Sequence, residues 1–278
     1  MRILFCGDVV GRSGRDVVIG NLPRLRDALA LDFVVVNGEN AAHGFGITPD
    51  ICRDLYAAGC DVITGGNHSW AKPEIISYIG TDPRLLRPIN YPPGTPGKGH
   101  GVYQLKDGRT ILAINAMGRV FMDAIDDPFR AVDDLLRHHA LGTVTAILVD
   151  FHADATSEKT AMGQFCDGRV SAVVGSHTHV PTGDHRILKG GTAYQSDAGM
   201  CGDYDSVIGM KKEGIVQRFV TKMPGERMHV ADGEGTLCAI FIETDDATGL
   251  ATGVAPLRLG GTLAPAWPVP AAQTATTA

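Results

Sequence analysis

No stretch of this 278-residue chain approaches the eighteen or so consecutive apolar residues that a membrane span requires. Paired cysteines are missing too. The six (Cys6, Cys52, Cys60, Cys166, Cys201 and Cys238) are scattered with no C-x-x-C among them, which argues against a zinc ribbon or a thioredoxin-like motif. They read as small buried hydrophobes, so a metal bound by this chain is expected on nitrogen and oxygen rather than thiolate. An excess of positive charge is absent as well. The formal charge of −6 argues against a nucleic-acid coat or a binder of anionic membranes. Nor is there a long basic groove studded with aromatics of the kind that tracks RNA. Neither stable nucleic-acid binding nor membrane binding is expected. Met1-Arg2-Ile3-Leu4-Phe5 is too short for a signal-peptide core and is interrupted by Asp8, so it reads as a first strand of a protein expected in the cytoplasm.

What is present is an ordinary globular composition, 44% hydrophobic and 20% charged, in a chain long enough for a sizeable core. Apolar, strand-like runs at Arg2–Cys6, Phe33–Val36, Asp61–Thr64, Thr145–Val149 and Val170–Val174 alternate with helical spacing. The first helix carries Val17, Val18, Leu22, Leu25 and Leu29, with a kink or break expected at Pro23. A second helix starts at Thr48-Pro49-Asp50, Thr48 being the N-cap. Others are expected over about 127–141, from Ser157, and over 213–222. Val102–Leu105 and Thr110–Asn115 form a hairpin around Asp107-Gly108. This alternation points to an α/β fold, and by itself to a doubly wound sheet with its site at the carboxyl ends of the strands. Gly7 to Gly14 lacks the G-x-G-x-x-G spacing of a dinucleotide site. Residues 1–259 are expected to form a single domain, with about 190–259 as a cap or second-sheet element, and 260–278 a weakly ordered tail rich in Pro, Ala and Thr.

Five strand ends carry polar residues: Asp8; Glu39 and Asn40; Asn67 and His68; His152; His177 and His179. Each alone has a plain explanation as a turn, cap or interior group. Together, on parallel strands, they converge on one edge, where carboxylate, amide and imidazole suit a pair of transition metals. In an extended segment His177 and His179 leave the chain in one direction.

Gly7-Asp8, Gly38-Glu39-Asn40, Gly66-Asn67-His68, His152 and Gly175-Ser176-His177-Thr178-His179 resemble the calcineurin-like metallophosphoesterase pattern: D-x-H, G-D-x-x-D, G-N-H, H and G-H-x-H. The first two blocks depart from it. Val10 stands where a histidine is usual, and Glu39-Asn40 replaces the bridging aspartate. That departure resembles the YmdB-like cyclic-nucleotide phosphodiesterases, as does Phe151-His152-Ala153-Asp154. The resemblance implies a metallophosphoesterase-type β-sandwich flanked by helices, and a cytoplasmic homo-oligomer, dimer or tetramer. It implies two metal ions, with iron the first expectation, manganese the second and zinc the third. Carried over by position, Asp8, Asn40 and His179 would hold one metal, Asn67, His152 and His177 the other, and Glu39 both. The implied reaction is hydrolysis of 2′,3′-cyclic nucleoside monophosphates by in-line attack of a metal-bridging hydroxide, with His68 as proton donor. Other readings are a phosphomonoesterase, an RNA-end phosphoesterase, or a regulatory metal- or nucleotide-binding protein with little turnover. His43 is a candidate border of the pocket, and Arg12, Lys159 and His185 are candidate phosphate contacts.

Overall fold

The computed structural model describes residues 1–224 and 228–269. The elements in chain order are β1 (Arg2–Cys6), β2 (Asp8–Val9), α1 (Gly11–Ala28), β3 (Phe33–Asn37), α2 (Pro49–Ala57), β4 (Val62–Thr64) and α3 (Pro73–Tyr78). They continue with β5 (His100–Gln104), β6 (Thr110–Met117), α4 (Pro128–Leu136), β7 (Ala146–His152), α5 (Thr156–Cys166) and β8 (Ala172–Ser176). The last are β9 (Arg186–Ile187), β10 (Ala193–Gln195), β11 (Met200–Asp203), α6 (Lys212–Thr221), β12 (Gly235–Thr244) and β13 (Ala251–Leu259).

Two mixed sheets form from these strands. One runs β2-β11-β12-β1-β3-β4, with β13 also paired to β12; the other runs β5-β6-β7-β8-β10-β9. Strand periodicity explains why they stack. On β1, Ile3 and Phe5 face the other sheet, packing in one cluster with Ala113, Leu148 and Val174, whereas Leu4 and Cys6 join the helix-covered cluster with Leu22, Leu25 and Leu55. On β7, Leu148 faces inward while Ile147, Val149 and Phe151 pack beneath α4 and α5. Both faces of each central strand are therefore buried, which is why these strands read as continuous apolar runs.

The fold is an α/β sandwich with helices outside, as the family resemblance implies. It is not the single doubly wound sheet that strand–helix alternation alone suggests. Each sheet carries helices on one face only, because the other face is occupied by its partner sheet. Of the kink or break expected at Pro23, the break is absent: α1 runs through it. Burying Val18, Leu22 and Leu25 at about 1.5–3 kcal/mol each outweighs the ~3 kcal/mol of an interior proline. At α2, Thr48 Oγ1 accepts from Ile51 N at 3.4 Å and caps the helix as read. All six cysteines are free and buried.

Residues 190–259 are shared between the layers. β10 lies in the second sheet, while β11, β12 and β13 lie in the first, where β12 pairs along all of β1. Of the expected tail, Ala266 exchanges backbone hydrogen bonds with Arg258, and residues 270–278 lie outside the described residues.

Candidate metal centre

Within the first sheet β1, β3 and β4 are parallel, and within the second β6, β7, β8 and β10 are parallel. Their carboxyl ends meet at one edge of the sandwich. Asp8 follows β1, Glu39 and Asn40 follow β3, and Asn67 and His68 follow β4. His152 ends β7, and His177 and His179 follow β8.

The structure brings all these side chains together. Asn67 Oδ1 and His177 Nδ1 lie 2.9 and 3.1 Å from His152 Nε2, and Glu39 Oε1 lies 3.3 Å from it. Asn40 Nδ2 donates to Glu39 Oε1 at 2.9 Å and lies 3.1 Å from His179 Nε2. Two groups of potential ligand atoms result, each within 4.8 Å: Glu39, His152 and His177; and Asp8, Glu39 and His179. Glu39 belongs to both.

The outer hydrogen bonds decide which ring nitrogens are free. His179 Nδ1 is 2.8 Å from Ile208 O, an acceptor only, so Nδ1 carries the proton and Nε2 keeps its lone pair. Ser176 Oγ donates to Asp150 Oδ1 at 2.6 Å, so it accepts from His152 Nδ1 at 2.9 Å, and His152 Nε2 is left facing the cluster. Such partners are what orient metal-ligating imidazoles. Among the described residues, the buried Asp8 Oδ1 and Asn40 Oδ1 have no hydrogen-bond partner. A buried unpaired oxygen costs free energy unless a cation or donor meets it, so this donor set fits transition metals bound through nitrogen and oxygen.

Burial disfavours charge throughout the cluster. At His152 it is outweighed by the Glu39 and Asp8 carboxylates, which lift the imidazole to about 9. At Glu39 it is outweighed in turn, chiefly by His152, and the carboxyl stays well below its ordinary range. Burial prevails at Asp8, which is raised. Burial and then His152 push His177 down to about 3, and burial also lowers His68. A metal held by His152 Nε2 would have to displace a proton.

The backbone is shaped to permit this density. A Cβ on Gly66 would overlap Glu39 Oε2 and His152 Nε2. His177 and His179 adopt φ of +103° and +66°, conformations that cost about 1–3 kcal/mol each. The loop is held there by Asp197, whose Oδ2 accepts from Thr178 N and Thr178 Oγ1 at 2.9 and 2.7 Å and from Lys159 Nζ at 2.7 Å. Asp8 Oδ2 accepts from His177 N at 3.1 Å.

His68 stands beside the donors. Its backbone N–H donates to Glu39 Oε2 at 3.0 Å, its ring packs edge-on against Phe45 at 5.0 Å, and it lines the cavity above the cluster. The other candidates fall elsewhere. His43 is exposed at φ +57°, and Arg12 is exposed and pairs with Asp16 at 3.4 Å. Lys159 is buried in its ion pair with Asp197, and neither it nor His185 lines the cavity. Asp150, Ser176 and Asp197 escaped the sequence reading. Asp150 and Asp197 had a signal: one lies two residues before His152 on its strand, and the other follows another parallel strand end, β10.

The sequence profile of the YmdB-like protein family matches residues 4–257. A 2′,3′-cyclic-nucleotide 2′-phosphodiesterase of Bacillus subtilis (strain 168) is 50% identical over 248 residues, covering 89% of this chain and 93% of its own. A crystal structure of a hypothetical protein from Thermus thermophilus superposes with a TM-score of 0.87 at 42% identity, covering 94% of this chain and 100% of that one. A structure described as a novel phosphatase from Mycoplasma pneumoniae also gives a TM-score of 0.87, at 32% identity, covering 94% and 93%.

Proposed function

The chain belongs to the YmdB-like protein family, and on that premise we propose that it is a metal-dependent phosphodiesterase acting on nucleoside 2′,3′-cyclic phosphates. The observation that carries the reading is the pair of donor groups sharing Glu39 at the floor of an open cavity. The Bacillus relative, half identical over most of both chains, supports the substrate class. Asp8, Asn40 and His179 would hold one metal and Asn67, His152 and His177 the other, with Glu39 common to both. Iron or manganese suits these donors. When bound, such a pair supplies Lewis acidity at the phosphoryl oxygens and makes water a nucleophile near neutral pH.

The chain's own residues do the rest. Among the seven donors only Asp8 and Glu39 carry formal negative charge, so a site loaded with two dications stays positive and draws an anionic diester to a protein whose net charge is −6. Ser176 and Ile208 O fix the imidazoles of His152 and His179. His68, at the cavity wall beside Asn67, donates a proton to the departing ribose oxygen. Burial lowers its affinity for the proton, so its imidazolium is a stronger acid but a smaller share of the group at neutral pH.

The test is a substrate panel on protein purified without added metal. It would contain 2′,3′-cyclic, 3′,5′-cyclic and monophosphate nucleotides, with and without chelator, beside elemental analysis. We expect about two transition-metal ions per chain, and chelator-sensitive turnover fastest on the 2′,3′-cyclic compounds. An absence of metal-dependent turnover across the panel overturns the reading.

A further inference from the structure

Helix α6 is built unlike every other helix of the described chain, since none of its residues is buried. Its excursion from the first sheet is closed at the base, where Met210 pairs with Val230 and Lys211 N donates to His229 O at 2.8 Å. A helix without a buried face gains little from packing. The α6 residues that line a cavity together with the donor cluster are Ile215, Arg218 and Phe219, at spacings that place them along one side of the helix, and Lys222, which caps the helix at φ +58°, lines it too.

These four line a cavity of about 870 Å³ that Glu39, Asn40, His177 and His179 also line. That size lies within the range of small-molecule and cofactor sites, about 300–1,000 Å³. Phe219 is 69% exposed, so an aromatic face is open to a ligand. Among the described residues, the Arg218 and Lys222 side chains make no ion pair or hydrogen bond. Lys222 Nζ lies only 5.6 Å from the Phe219 ring centre. Two cations around an exposed aromatic ring, facing a cluster suited to a phosphoryl group, suit a ligand with both a flat π-system and negative charge.

We infer that α6 is the nucleoside-recognition wall of this site: Phe219 stacks on the base while Arg218 and Lys222 attract the anionic ligand. The inference rests on the phosphodiesterase reading for its substrate. Its chemistry excludes a purely apolar ligand, which would leave the two cations and the donor floor unmatched. Val216 and Val220 lie on the same helix, 51% and 78% exposed, but do not line the cavity. They provide the internal control.

The experiment uses the full chain as purified, with calorimetric titration of adenosine 3′-monophosphate alongside turnover of adenosine 2′,3′-cyclic phosphate. Phe219→Ala should weaken monophosphate binding about tenfold or more. It should raise KM for the cyclic substrate by a similar factor and leave kcat within about twofold. Arg218→Ala should weaken binding and flatten its salt dependence. Val220→Ala should match the wild type. Phe219 and Val220 are both exposed, so neither truncation opens a core cavity. Unchanged binding in Phe219→Ala, or equal losses in Phe219→Ala and Val220→Ala, overturns the inference. Should the wild type bind the monophosphate without hydrolysing any diester, and Phe219→Ala lose that binding, the phosphodiesterase reading falls and the recognition wall stands.

Discussion

Across the cavity, Glu39 is 1% exposed and Phe219 is 69% exposed. The donor side is assembled from five strand ends in two sheets, and its loops are tied by Asp150, Ser176 and Asp197. The α6 side is one helix anchored at its base. Groups that hold cations need positions fixed to fractions of an ångström, and buried hydrogen bonds supply that at the cost of left-handed histidines and orphaned oxygens. A stacking surface tolerates much looser placement, because every base offers a π-face. Rigidity follows the chemistry, and exposure follows the choice of ligand.

The contrast predicts a descending series of effects. Glu39→Gln or Asp8→Asn should do most, removing metal from the purified protein and lowering turnover by more than the ~10²-fold typical of an outer partner; elemental analysis beside a rate measurement checks both. His68→Ala should lower turnover of nucleoside cyclic phosphates by about 10²–10⁴-fold. Its loss on aryl phosphodiesters, whose leaving group needs little protonation, should be far smaller, and equal losses would remove His68 from the acid role. Ser176→Ala leaves His152 Nδ1 without its hydroxyl partner, and should weaken metal retention or activity by about 10–100-fold, read by competition with a chelator. Phe219→Ala should act on KM alone, by about tenfold. Val220→Ala should shift thermal stability by no more than about 0.5 kcal/mol. A Val220→Ala variant that lost metal would break the division between the two sides.

Which parts were legible in the sequence follows from the same division. Asp8, Asn67, His152, His177 and His179 stand within a few residues of the ends of apolar runs, and parallel strands bring those ends to one edge, so local pattern sufficed to nominate them. The sandwich was not legible from alternation, because nothing in Phe33–Val36 states whether its inner face meets a helix or another sheet. Lys159 read either as a phosphate contact or as a solvated charge at a helix end. The structure buries it against Asp197, 38 residues away, in an ion pair that spacing cannot reveal. The apolar residues of α6 mislead in the opposite sense. Val216, Phe219 and Val220, with Met223 just past the helix end, recur at i, i+3, i+4 and i+7, which normally marks a core face, yet all four are exposed.

The donors span Asp8 to His179 and come from both layers of the sandwich. An ion gripped there would be a tie bar between the two sheets, joining chain positions that lie far apart in the unfolded state. Any ligand that binds only the folded form adds about 1.4 kcal/mol of stability for each tenfold excess over its dissociation constant. The melting temperature of this protein should therefore climb with the free metal concentration, and a simple thermal scan would report how full the site is with no substrate in the tube.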